Sequence, residues 1–247
     1  MYSWGTIRAA CILLLLLPLL HLTYLMARDT LALLDTSPEA WQRELDGYIA
    51  QDEKTPLPEA PVVVVGGRRV KLWQGLAQIL APEPVLMRGL GDAIVEDISY
   101  HYPRLVAFYR PSAVVLFPGD SEFAIRDSKS APELVEAITE LLEIDTAQGL
   151  EQRFVIVSPV KTPAPGSFNS TIDAALPLLG QLAAREARVS LLDVNPVLTG
   201  VDGAPDPGLF RGDGIQLNEQ GYLRLSLVLR NHLWGDTGPT QEVTALR

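Results

Sequence analysis

VVVVGGRRVKLW, residues 62–73, opens with four consecutive valines and stops them at Gly66-Gly67. A short unbroken run of β-branched residues reads as a strand buried on both faces, because a half-wet strand alternates polar with apolar. Four comparable runs follow: PVLM (84–87), AVVLF (113–117), RFVIVS (153–158) and VSLLDV (189–194). Helical segments are expected between and after them, over roughly 70–80, 92–108, 131–144, 170–186 and 218–234. Strand alternating with helix from 62 to 234 predicts βαβ crossovers and a central parallel sheet covered on both faces.

The chain of 247 residues is long enough for one such domain, and its composition fits: 47% hydrophobic but only 7% aromatic. A net charge of −10 argues against a nucleic-acid partner, since no basic stripe is present. The one cysteine, Cys11, excludes an internal disulfide framework and a cysteine metal cluster.

Upstream lies AACILLLLLPLLHLTYLMA, residues 9–27, without a charged side chain. As a helix at about 1.5 Å per residue it would span roughly 28 Å, near the hydrocarbon thickness of a bilayer. A core helix and a cleaved signal peptide compete with an uncleaved anchor. The first would seldom be apolar all round, and the second meets the bulky Leu25 three residues before the cut. The expectation is a transmembrane signal-anchor at 9–27 after a short tail, 1–8, with the globular domain on the exported side. Arg8 faces Arg28 and Arg43 across the segment, so charge alone sets the orientation weakly.

Between anchor and sheet, Ser37-Pro38-Glu39 reads as a helix start. Trp41, Leu45, Tyr48 and Ile49 share one helical face, predicting an amphipathic helix over 38–52 packed on the domain. TPLPEAP (55–61) is a Pro-rich connector. The layout is thus helix and connector at 28–60, domain at 61–234 and a disordered tail at 235–247.

Ligands of open parallel sheets bind at the carboxyl ends of the strands. That rule selects GGRR, RGLGD, PGDSE and the C-terminal LFRGDGIQLNEQGY, each with Gly beside polar residues. Gly119-Asp120-Ser121 spells the opening of a GDSL serine-esterase signature, but it follows the third strand rather than the first.

In this order the four loops resemble the blocks of the SGNH/GDSL hydrolase superfamily, specifically a branch whose first block reads G-S-S-S-I-R-L-W. The likeness covers residues 38–234 and implies a flavodoxin-like three-layer α/β/α sandwich. With Leu72-Trp73 fixed, it places Arg68 at the nucleophilic serine. Asp92 falls at the glycine whose N–H helps bind the oxyanion, Ser121 at the oxyanion asparagine, and Gln216 at the general-base histidine. The retained acid is Asp213. Ser121 is therefore not the family nucleophile.

These residues cannot run serine acylation. A guanidinium has no nucleophilic lone pair and stays charged. A glutamine amide takes no proton near pH 7, and a carboxylate beside the oxyanion position repels the charge that must form there. Elsewhere, His101 and His232 fall on helices away from the strand-end loops, and Ser158 ends a strand that could face the cleft. Asp202, Asp206 and Asp213 lack a calcium-loop frame, so neither metal nor cofactor is implied. The expectation is a degenerate, membrane-anchored protein that binds a small molecule, a glycan or an envelope protein. Its cleft would be built from Gly67, Arg68, Gly91, Asp92, Gly119, Asp120, Ser121, Asp213 and Gln216. The rival expectation is an active esterase using rearranged residues.

Overall fold

The computed structural model describes residues 4–33, 37–124, 126–150 and 152–235. Two compact units are distinguished, 1–40 and 41–247. In the first, helix α1 spans Trp4–Leu33. It continues past the expected end at 27, so Arg28 and Asp29 are helical rather than connector. Among the described residues no helix is long and apolar enough to cross a membrane. The expected transmembrane helix thus gains no support from the structure, and several side chains of 9–27, Cys11 among them, lie outside what is described. Most of the predicted tail, 236–247, lies outside it as well.

The second unit begins with α2 (Gln42–Asp52), entered through a 3₁₀ turn at Pro38–Trp41. Strand β1 (Val62–Gly66) leads into α3 (Arg68–Leu72) and α4 (Leu76–Leu80). The single helix expected over 70–80 is broken here because Gly75 takes a left-handed φ of 81°, which glycine adopts without steric cost. Strand β2 (Val85–Gly89) is followed by α5 (Val95–Leu105), shorter than expected, so Asp92 stays in the loop. Then come β3 (Ala113–Phe117), α6 (Ala131–Ala147), β4 (Arg153–Val157) and α7 (Asn169–Arg185). The chain closes with β5 (Val189–Leu192), two residues shorter than the expected 189–194, a short α8 (Asn195–Leu198) and α9 (Glu219–Trp234).

All five strands are parallel, in the order β2-β1-β3-β4-β5. The alternation within β1 divides the core. Val63 and Val65 face α2, α5, α6 and α7, whereas Val62 and Val64 face α3, α4, α8 and α9. Each buried valine contributes about 1.5–3 kcal/mol relative to exposure, which is why the sequence keeps four in a row. The strand order reverses between β1 and β3, leaving a crevice outside their carboxyl ends. Gly66 makes this seam: its φ is 155°, and a Cβ there would lie 2.3 Å from the Phe117 carbonyl oxygen.

Candidate functional site

The loops after β1, β2 and β3 and the segment before α9 converge on this crevice. Gly67 caps α3, so Arg68 occupies its first turn. The Arg68 guanidinium grips Asp92 side-on, Nε to Oδ1 at 2.7 Å and Nη2 to Oδ2 at 2.5 Å. The pair joins the loop after β1 to the loop after β2. It is not deeply buried, for the Arg68 side chain is 52% exposed and Asp92 21%. Desolvation is modest there, and the pair contributes at most about 1 kcal/mol. Hydrogen bonding to Asp92 raises the Arg68 pKa further above its usual value.

Asp213 does not reach Arg68 among the described contacts. Its Oδ1 accepts from the backbone N–H of Ile215 and of Gln216, both at 2.9 Å. Burial pushes its pKa up, but those two donors together with the Arg211 and Arg69 charges hold the carboxyl below the usual range. Asp213 thus stabilises its own turn, as a short acidic side chain does when a local N–H is in reach. Asp202 and Asp206 do the same through Ala204 and Gly208. Gln216 is partly buried, with its Oε1 lacking a hydrogen-bond partner.

Ser121 sits in a 3₁₀ turn, Asp120–Glu122, and is buried. The next residue, Glu122, is buried too. It accepts from Lys129 Nζ at 2.8 Å and from the Val95 N–H at 2.9 Å. Burial still pushes its pKa up to about 7, with Lys129 opposing. This turn is therefore pinned from beneath to the start of α5.

Three site residues were not anticipated from sequence. Arg69 is the first: its side chain is 1% exposed, its Nε lies 3.4 Å from Asp120 Oδ1, and its Nε and Nη1 lack hydrogen-bond partners. Its backbone carbonyl accepts from the Tyr222 hydroxyl at 3.0 Å. Arg69 stands four residues before the buried Trp73, so helical spacing was the available signal. The other two, Trp41 and Glu44, come from α2 and its entry turn. Glu44 Oε2 accepts from the Gly91 N–H and from Lys71 Nζ, both at 2.9 Å. The Trp41 ring occupies the space a Cβ on Gly91 would need, at 2.1 Å, where φ is 25°. Tyr48 completes the clasp by donating to the Gly89 carbonyl at 2.6 Å.

The remaining candidates lie apart from the cleft. Ser158 is fully buried, donating to Asp193 Oδ1 at 3.0 Å and accepting from the Val194 N–H and Asn195 Nδ2, each at 3.1 Å. It ties β4 to β5 instead of facing a ligand. His101 is buried on α5 against the Tyr100 ring. His232 lies 2.8 Å from Ser190 Oγ, and burial followed by the Arg153 charge lowers its pKa. Ser190 is the second residue of β5, toward the end of the sheet opposite the crevice.

No protein-family profile matches the chain, and no curated protein sequence matches it. Solved structures do. A GDSL-like lipase from Bacteroides thetaiotaomicron superposes with a TM-score of 0.64 at 14% identity, covering 76% of this chain and 96% of that one. A lipase/acylhydrolase from Enterococcus faecalis gives 0.59 at 16% identity, covering 70% and 95%. A catalytic mutant of an acetylxylan esterase from Geobacillus stearothermophilus gives 0.55 at 13%, covering 71% and 94%. The fold is that of the SGNH/GDSL hydrolases.

Proposed function

We propose that this SGNH/GDSL-fold protein binds a ligand in the former esterase cleft without hydrolysing it, acting as a binding or regulatory module at the cell envelope. One observation carries the reading: the side-on pair of Arg68 with Asp92, where a nucleophile and an oxyanion donor would have to meet an ester carbonyl. Acyl transfer needs a nucleophilic oxygen, a base and an oxyanion site together. Arg68 supplies no nucleophile, and the Asp92 carboxylate opposes negative charge at the position where it would develop.

The same reading places residues 9–27 in a membrane as an uncleaved anchor, with the domain exported. Its support is the sequence: nineteen positions without a charged side chain.

Purified protein assayed with short-chain nitrophenyl esters tests the chemistry. The expected result is turnover no faster than background. Hydrolysis abolished by Ser121→Ala or Ser158→Ala would establish an enzyme with rearranged residues and end the binding-only reading.

A further inference from the structure

A cavity of about 140 Å³ opens beside the third block and the last one, with Asp120, Phe123, Val160, Phe168, Ile172 and Ile215 among its walls. Phe123 and Phe168 stack there with centroids 6.0 Å apart. An engineered apolar cavity of about 150 Å³ stays dry and accepts a benzene molecule. This space therefore suits one ring or a compact chain of about six carbons.

The polar edge of the cavity restricts the ligand further. Asp120 lines it, is partly exposed, and has Arg69 as its ion-pair partner at the long distance of 3.4 Å. Among the described contacts, no hydrogen bond reaches the Asp120 carboxylate. Behind it, two buried N–H groups of Arg69 are also unpartnered. Those nitrogens are shut behind Asp120 and do not line the cavity, so the carboxylate is the charged group offered to a ligand there. Net charge supplies a second restriction. Arg68 is matched by Asp92 and Arg69 by Asp120, so neither an anion nor a cation meets an unbalanced field.

One functional group donates to an acceptor-only carboxylate without adding charge: a hydroxyl. Resting on the binding role argued above, we infer that the cleft takes a neutral alcohol. Its compact apolar body fills the cavity, and its hydroxyl donates to the Asp120 carboxylate at the edge. A carboxylate would be repelled by Asp120, and an ammonium would add a positive charge in front of Arg69.

Methyl-resolved NMR titrations of the full-length chain with benzyl alcohol, toluene, benzoate and benzylamine test this. Shifts should localise to Val160, Ile172 and Ile215, with benzyl alcohol binding roughly tenfold tighter than the other three, as expected for a hydrogen bond to a charged group. Asp120→Ala should reduce benzyl alcohol to the level of toluene and leave toluene unchanged. Ala164→Leu, which narrows the cavity from its wall, should weaken all four ligands. Preference for benzoate or benzylamine overturns the assignment, as does failure of the folded wild-type chain to bind any of them. The nitrophenyl ester assay is independent of this. Turnover alongside an intact alcohol preference removes the binding-only reading and keeps the alcohol site. Absence of both turnover and preference removes the alcohol site alone.

Discussion

Glu44 holds the backbone N–H of Gly91 at 2.9 Å, so a side chain from the lead-in helix fastens the loop that follows β2. Lys71 meets the same carboxylate oxygen, which ties α2, the loop after β2 and α3 together at one atom. Removing it should leave a backbone donor unpaired. Glu44→Ala is expected to cost about 1–3 kcal/mol in urea unfolding, and to speed hydrogen exchange at Gly91 relative to the core amides of β1. Unchanged exchange at Gly91 would show that the loop is held by Trp41 and Tyr48 alone.

Restoring the family residues tests the alignment. Arg68→Ser with Gln216→His should still give little ester turnover, because Asp92 continues to oppose the oxyanion. Adding Asp92→Gly and Ser121→Asn should raise turnover by at least about a hundredfold, the smaller end of what an oxyanion donor supplies. Substantial activity in the double variant alone would mean that the oxyanion loop is misassigned.

Stability should carry the signature of Glu122. Its folded pKa is raised from 4.5 to about 7, so between those values the folded state binds more protons than the unfolded chain. Stability from this group is then present in acid and lost as pH rises through the window, by on the order of 3 kcal/mol. Glu122→Gln, which mimics the protonated form, should flatten that fall between pH 5 and 8. Parallel profiles for variant and wild type would place the titration elsewhere.

Gly66→Ala should be among the most damaging single changes in the sheet. The added methyl would sit 2.3 Å from the Phe117 carbonyl oxygen, at a φ that L residues rarely adopt. A loss of about 2–4 kcal/mol in the unfolding midpoint analysis is expected. A loss under about 0.5 kcal/mol would mean that β1 and β3 separate easily.

Residues 9–27 are expected to remain in the mature protein, since Leu25 is too large for efficient cleavage. N-terminal sequencing from a membrane fraction checks it; a mature chain starting near Arg28 overturns the anchor.

Much of the sheet was legible because β-branched runs carry their own signal: β1 and β3 begin where the sequence reading put them. The break at Gly75 was not, for a glycine within an apolar period is often tolerated in a helix. The Arg68–Asp92 contact was legible as two opposite charges on neighbouring strand-end loops. The isolation of Asp213 was not, because a local turn competes with a distant guanidinium and wins on distance. Glu44 carried a faint signal, lying three residues after Trp41 and four before Tyr48 on an otherwise apolar face. What it would accept from depended on a docking that no local pattern encodes.

The Gly66–Phe117 seam also bears on how the cleft can breathe. With β1 and β3 in backbone contact, that wall cannot widen without tearing the sheet, and the Glu44 clasp stiffens the neighbouring loop. The opposite bank is built differently, with Phe168 and Ile215 partly exposed on non-helical chain. The crevice thus has two unlike sides, one braced by the hydrogen-bonded sheet and the other free of it.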